Sequence, residues 1–125
     1  MKILIIEDSD AIFKSLEKYI SDKTPLSDIA RAKPNNSGSS IYINNSPDLI
    51  IVDESFSQSD TIEMLRNLRS NNPGATIILL THSLNDYRRK MYDKLGVNRY
   101  YDKLFDLDLF ILELESLLTE NTIVS

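Results

Sequence analysis

The sequence predicts an α/β domain in which a parallel sheet is covered by helices on both faces. Three short segments, 3–6, 49–52 and 77–80, consist only of apolar residues and are rich in isoleucine. A strand covered on both faces has no side that meets water, so it shows an unbroken apolar run instead of alternation. Segments with helical spacing separate these runs, and strands that alternate with helices are typical of a parallel sheet.

The length, cysteine count and net charge of the chain exclude several classes of protein. The 125 residues suit one domain. The absence of cysteine excludes a disulfide framework and thiol chemistry, and agrees with a reducing compartment. A net charge of -5 without a basic cluster argues against binding to nucleic-acid phosphates. Apolar runs of at most four residues predict neither a membrane span nor a secretory signal. We expect a cytoplasmic domain over 1–120, with a tail at 121–125.

The first half of the chain predicts two helices between three strands. The first strand is 1–6, and Ser9 or Asp10 can cap the helix that follows. A short strand at 29–32 and a second helix at 38–45 come next, the helix being bracketed by turn-forming residues. The inward positions of the first helix recur at intervals of three and four: Ile12, Leu16, Tyr19 and Ile20.

A third predicted helix follows the central strand. Asp60 and Glu63 form a capping pair for it, and its apolar face carries Ile62, Leu65 and Leu68. The fourth strand, 75–81, comes directly after the Pro73–Gly74 turn.

The last part of the chain predicts two more helices around a fifth strand, 98–102. Asn85 can cap the fourth helix, which carries Tyr87, Met91 and Leu95, and Gly96 is placed to end it. The fifth helix, 106–119, has an inward face of five residues: Phe110, Ile111, Leu114, Leu117 and Leu118.

Five alternations of strand and helix predict a doubly wound domain with right-handed crossovers and the flavodoxin-like strand order 2-1-3-4-5. Ligands of such sheets bind beyond the carboxyl ends of the strands. In this order the first strand neighbours the third, so Glu7, Asp8 and Asp53 are expected to meet at that edge.

Carboxylates that meet at one site need a neutralising partner. One like-charged pair at about 4 Å costs about 4 kcal/mol at an effective dielectric of about 20. Mg²⁺ prefers oxygen ligands and would offset this cost. With the ion bound, Asp53 can act as a nucleophile towards a phosphoryl group. Thr81 and Lys103 end neighbouring strands and can contact the phosphoryl oxygens.

These residues, each at a strand end and in this order, resemble the receiver domain of response regulators in two-component signalling. The resemblance covers nearly the whole chain. It implies that Glu7, Asp8, Asp53 and the backbone carbonyl of Ser55 bind Mg²⁺ or Mn²⁺. It also implies that Asp53 takes a phosphoryl group from a histidine kinase or a phosphotransfer protein. Such a domain is a signalling module that catalyses only its own phosphoryl transfer.

The resemblance also assigns the switch. Thr81 and Lys103 would hold the phosphoryl group, and Tyr100 matches the switching aromatic three residues before the lysine. The output surface would be built from the fourth predicted helix, the fifth strand and the fifth predicted helix. A downstream protein partner, or a second copy in a weak homodimer, would bind there; otherwise the domain is a monomer.

Three positions depart from the family pattern. Receivers usually follow the acceptor with Met-Pro and then an Asp-Gly turn, whereas the loop here begins with Glu54 and contains neither Pro nor Gly up to Thr61. His82 replaces a small residue. Leu104 replaces the proline after the lysine, so we predict a trans Lys103–Leu104 peptide. These departures favour an alternative, a degenerate receiver that binds a partner without phosphorylation.

Other interpretations compete with these. A haloacid dehalogenase-type phosphatase would need an Asp where Ser55 stands, and a flavin-binding domain would not place acidic residues at 7–10. His82 is expected as a partly buried loop residue without a catalytic role. The segment 88–90 is expected as a solvated helix face, with contact to a partner as the second interpretation. Tyr87, Tyr92 and Tyr101 are expected as core or surface aromatics.

Overall fold

A five-stranded parallel sheet forms the centre of the protein. The computed structural model describes residues 1–33, 46–54 and 58–124, and the side chains of all of them except 58, 59 and 120–124. The strands lie in the spatial order β2-β1-β3-β4-β5, which confirms the predicted flavodoxin-like order. Their bounds are β1 Lys2–Ile6, β2 Asp28–Ala32, β3 Leu49–Asp53, β4 Thr76–Thr81 and β5 Arg99–Asp102.

Four helices cover this sheet in the described part of the chain. They are α1 Asp10–Lys23, α2 Gln58–Asn71, α3 Asp86–Lys94 and α4 Leu107–Val124. They correspond to the first, third, fourth and fifth predicted helices, whereas the second predicted helix, 38–45, lies outside the described residues. None of the described helices is both long and apolar enough to span a bilayer.

The sheet separates two apolar layers. Alternate residues of a strand face opposite sides, so each of the inner strands contributes to both layers. On one side Leu4, Ile50 and Ile77 pack with Leu65 and Leu68 of α2 and with Tyr92 of α3. On the other side Ile3, Ile51 and Ile78 pack with Leu16 of α1 and with Phe110 and Leu114 of α4. The apolar runs are therefore continuous because both faces are covered.

The capping predictions at Ser9 and Asn85 are confirmed, but one predicted inward position is wrong. Ser9 caps α1 by accepting from the Ile12 amide at 3.3 Å, and Asn85 caps α3. Ile12, predicted to face inward, is 47% exposed, and Tyr87, expected as a core or surface aromatic, is 72% exposed. Each has a neighbour one position along that faces the core instead, since one residue turns a helix by about 100°. These neighbours are Phe13, which packs against the core of its side, and Arg88, which shares its face with the fully buried Tyr92.

Two helix boundaries also differ from prediction. The helix α2 begins at Gln58, so Asp60 lies in its first turn and is not its cap. The helix α4 continues to Val124, beyond the predicted end at Thr119. No glycine or proline stands between 120 and 124 to interrupt the backbone hydrogen bonds.

Gly96 ends α3, as predicted, in a backbone conformation that side chains oppose. Its φ is 85°, in the left-handed region, and it follows the cap residue Leu95. Arg69 of α2 fills the adjacent space and donates to the Gly96 carbonyl from Nε at 3.1 Å and from Nη2 at 2.7 Å. A Cβ on Gly96 would lie 2.8 Å from Arg69 Nε. The glycine therefore permits both the turn and the contact between α2 and the start of β5.

We predict that Gly96→Ala destabilises the protein, because it adds a left-handed strain of about 1–2 kcal/mol and displaces Arg69. The midpoint of urea unfolding measures the effect. Gly74→Ala is the matched control, since a Cβ there meets nothing within 4 Å and its φ is not in the left-handed region. An equal loss of stability in the two variants would contradict this account.

Candidate functional site

The carboxyl ends of four strands bring the predicted site residues to one edge of the sheet. In the register of the sheet Ile6 lies opposite Val52, and Thr81 lies opposite Asp102. The residues at or directly after these positions are therefore neighbours where the strands end. They are Glu7 after β1, Asp53 at the end of β3, Thr81 at the end of β4 and Lys103 after β5.

Asp53 and Lys103 form an ion pair between Oδ1 and Nζ. The Asp53 side chain is nearly buried and the Lys103 side chain is 20% exposed. The amide of Lys103 donates to the Thr81 carbonyl at 2.9 Å, which fixes the lysine to β4. The Lys103–Leu104 peptide is trans, as predicted. Burial lowers the pKa of Lys103, and the charge of Glu7 opposes that shift.

Glu7 is a buried carboxylate with one unused oxygen. Its Oε1 accepts from the Ser9 amide at 3.1 Å, whereas Oε2 is buried without a hydrogen-bond partner in the described part of the chain. Burial raises the pKa of Glu7, opposed by the Ser9 amide and the charge of Lys103. Asp8, the next residue, is exposed. The acidic pair thus presents one buried and one accessible carboxylate.

Arg31 of β2 supports the acidic turn, and sequence reasoning missed it. Its guanidinium donates to the Glu7 carbonyl from Nε at 3.1 Å and to the Asp8 carbonyl from Nη2 at 3.1 Å. It also pairs with Asp10 at 2.6 Å and lies over the Phe13 ring. The available signal was an arginine in a strand predicted to flank the acidic turn. Two main-chain oxygens of the turn are held by this one side chain.

The donors at this edge suit a hard cation. Glu7 Oε2 is a buried oxygen that lacks a partner, and Asp8 and Asp53 add carboxylate oxygens, which is the chemistry that Mg²⁺ prefers. Among the described residues no three His, Cys, Asp or Glu side chains lie close enough to hold one ion together. The Ser55 carbonyl lies outside the described residues.

Thr81 and Tyr100 occupy different environments. Thr81 is fully buried, and its Oγ1 makes no hydrogen bond of good geometry within the described residues. Tyr100 is partly buried, and its hydroxyl donates to Asp93 at 3.0 Å. The ring centroids of Tyr100 and Tyr92 are 6.1 Å apart. His82, expected as partly buried, is exposed because it follows the last residue of β4 on the surface.

Glu54, the residue after Asp53, carries a network that the sequence did not reveal. The residue is 8% exposed, and its amide donates to the Leu80 carbonyl at 2.8 Å. Its Oε2 accepts from the Tyr92 hydroxyl at 2.6 Å, and its Oε1 pairs with Arg88 at 3.1 Å. Burial and the hydrogen bond to Glu54 raise the pKa of Tyr92. The prediction that 88–90 is a solvated face is therefore wrong for Arg88, although Arg89 and Lys90 are exposed.

Comparison with known proteins agrees with this fold. The family model of the response regulator receiver domain matches residues 3–115, and the chain belongs to this family of two-component signalling domains. Receiver domains are signalling domains, generally not true enzymes, and generally bind Mg²⁺ at their phosphorylation site. No curated protein sequence matches the chain significantly.

Solved structures share the fold at low sequence identity. The receiver domain of a DNA-binding response regulator (merR) from Colwellia psychrerythraea 34H is 21% identical with a TM-score of 0.77, covering 95% of this chain and 98% of that one. A CheY-like receiver from Methanospirillum hungatei JF-1 is 19% identical with a TM-score of 0.75, covering 99% and 98%. The phosphorylated cyanobacterial phytochrome response regulator RcpA is 20% identical with a TM-score of 0.70, covering 93% and 89%. At these identities the likeness concerns the fold alone.

We predict that Glu7 reduces stability as the pH rises. Its pKa is raised above the ordinary 4.5, so between pH 4.5 and the raised pKa the folded state binds more protons than the unfolded state. The free energy of unfolding therefore falls through that window. In Glu7→Gln this fall should be absent, as measured by urea unfolding in metal-free buffer across pH.

The exposed Glu17 of α1 supplies the control for this measurement, and Glu17→Gln should follow the wild-type profile. If the wild type and Glu7→Gln stay parallel from pH 4 to pH 8 (roughly the range in which carboxyl and histidine groups titrate), burial of the Glu7 carboxylate carries no such cost.

Proposed function

We propose that the chain is a phosphoacceptor switch that receives a phosphoryl group on Asp53 from a histidine kinase or a phosphotransfer protein. The observation that supports this most directly is the ion pair of Asp53 with Lys103 at the carboxyl edge of the sheet. The buried Asp53 carboxylate is thereby held beside the Lys103 ammonium group. After transfer, this ammonium group could pair with the oxygens of the phosphoryl group instead. In a cytoplasmic two-component pathway a downstream protein would read the result.

The transfer follows from the positions of these groups. A carboxylate oxygen of Asp53 attacks phosphorus while the bond from phosphorus to the donor nitrogen breaks, and the donor keeps that electron pair. Lys103 then balances the negative charge of the phosphoryl oxygens. Thr81 Oγ1 is buried and its contact with the Tyr92 side chain falls short of good hydrogen-bond geometry, so its hydroxyl can turn to donate to one of those oxygens.

A divalent cation would complete the charge balance. Asp8 and Asp53, with Glu7 assisting and the Ser55 carbonyl as a further ligand, would hold Mg²⁺ or Mn²⁺. The bound ion supplies electrostatic stabilisation of the charge that develops on the transferred group. Glu7 Oε2 has no competing partner in the described residues, which leaves it available to the ion or to its water shell.

The switch would connect Thr81 with the surface formed by α3, β5 and α4. Thr81 ends β4, which leads into α3, and Tyr100 lies on the neighbouring strand beside Tyr92. If Thr81 turns towards a phosphoryl group, the Tyr100 side chain can exchange its contact with Asp93 for an inward position. A downstream partner or a second copy of the chain would bind this surface in one of the two states.

A second candidate is a phosphorylation-independent binding module. The observation that favours it is the apolar pair after Lys103, since Leu104 and Phe105 are 75% and 83% exposed beside the acceptor. A partner that covers them would need no chemistry at Asp53.

We predict that incubation with acetyl phosphate and Mg²⁺ adds one phosphoryl group to the wild type and none to Asp53→Asn, because an amide cannot form the acyl phosphate. Intact mass spectrometry measures both. Asp86→Asn, at an exposed aspartate of α3, is the matched control and should be modified like the wild type. An unmodified wild type would instead support the binding module.

We also predict that Mg²⁺ stabilises the fold through Asp8. At a concentration ten times its dissociation constant a ligand adds about 1.4 kcal/mol by mass action, so the melting temperature should rise with Mg²⁺. The rise should be absent in Asp8→Ala and retained in Asp22→Ala, which alters an exposed aspartate of α1. The same rise in all three proteins would show that the acidic pair is not the cation site.

A further inference from the structure

Glu54 is a buried carboxylate that the proposed chemistry does not use. It directly follows the acceptor in the sequence. Burying a charge is costly unless partners compensate it. Here both carboxylate oxygens have partners, and both partners belong to α3: Arg88 at 3.1 Å and Tyr92 at 2.6 Å. We call these three residues the Glu54 clasp.

We propose that the Glu54 clasp couples the acceptor to α3, so that a phosphoryl group on Asp53 loosens the hold of Glu54 on Arg88 and Tyr92. The proposal rests on the proposed function of Asp53. It makes Glu54 a positioning residue for the output helix, since the side chain acts on α3 and does not touch the transferred group.

The backbone leaves Glu54 little freedom to absorb a change at Asp53. Its amide is bonded to the Leu80 carbonyl of β4, and its own carbonyl lies 3.5 Å from Lys103 Nζ. Lys103 is at the same time the ion-pair partner of Asp53. A displacement of the lysine towards a phosphoryl group therefore acts on the Glu54 backbone as well as on Asp53.

Electrostatics gives the direction of the effect. A phosphoryl group carries about 1.5 to 2 negative charges near neutral pH. The Glu54 side chain is only 8% exposed, so solvent and salt screen this charge poorly. The added charge disfavours the Glu54 carboxylate next to it, and this weakens the clasp.

The consequence for α3 is local because the helix is short. It has nine residues, and Tyr92 is its fully buried anchor. The Tyr92 hydroxyl is held by Glu54, while Arg88, one turn earlier, is held by the same carboxylate. Loss of these contacts would raise the opening rate of the helix on the surface that also carries Tyr100.

The test is amide hydrogen exchange at 88–94 with and without beryllofluoride and Mg²⁺, which load the acceptor without phosphodonor turnover. In the wild type, loading should speed exchange there by roughly tenfold, which corresponds to the loss of one charge-assisted hydrogen bond. In Glu54→Gln exchange should already be faster before loading, and loading should add nothing. Chemical shifts at Thr81 and Lys103 report independently whether Asp53 is loaded.

Two further variants serve as a second test of the clasp and as a control. Tyr92→Phe keeps the ring packed and removes only the hydroxyl, so it gives the same loss of response if Glu54→Gln folds poorly. Arg89→Gln alters the adjacent arginine, which pairs only loosely with the exposed Asp86 at 3.9 Å, and should respond like the wild type.

Each result decides between defined outcomes. Loading that shifts Thr81 and Lys103 but leaves exchange in α3 unchanged or slower overturns the coupling alone. An equal acceleration in the wild type, Glu54→Gln and Tyr92→Phe also overturns it, because the signal then reaches α3 by another route. If Thr81 and Lys103 do not respond in the wild type, the acceptor function itself fails, and the coupling fails with it.

Discussion

The other charged groups of the site are arranged around the ion pair of Asp53 and Lys103. Both groups are largely removed from water, and the desolvation of such a pair can exceed its Coulombic gain. Burial accordingly lowers the pKa of Lys103. The surrounding structure places the pair where three strands end, with the Glu7 carboxylate near enough to oppose that shift. A cluster of this kind contributes little to folding, so its presence at the carboxyl edge of a parallel sheet indicates a functional role.

Two arginines, one on β2 and one on α3, contact the acidic residues at the carboxyl edge of the sheet. Arg31 of β2 holds main-chain oxygens of the acidic turn, and Arg88 of α3 pairs with Glu54. The two contacts differ in kind. Arg31 donates to carbonyl groups and pairs with the exposed Asp10, so it fixes the shape of the turn and adds little stability as an ion pair. Arg88 neutralises a buried carboxylate, so the position of α3 depends on a side chain next to the acceptor.

The sheet could be predicted from the sequence because burial on both faces leaves a direct mark, the unbroken apolar run. Caps were equally legible at Ser9, Asn85 and Gly96, since each requirement is local. The Glu54 clasp was not predictable in the same way. Glu54 and Arg88 are 34 positions apart, and in the sequence each has the appearance of an ordinary surface charge. Four-residue spacing did not show which side of α3 faces the core. In the structure Tyr87 is exposed, whereas Arg88 and Tyr92 face inward and contact Glu54.

The departures from the family pattern have different physical weight. Leu104 leaves a trans peptide, yet Lys103 reaches Asp53, so the missing proline does not remove the contact. His82 is exposed and does not fill the site. Glu54 is the departure with structural consequences, because it places a second buried carboxylate directly after Asp53. Under the proposed function, that charge would lie where an anionic phosphoryl group enters. That cost is limited because both Glu54 oxygens are turned to α3, where Arg88 supplies a compensating charge. If Asp53 is phosphorylated as proposed, the same arrangement would make α3 sensitive to what Asp53 carries.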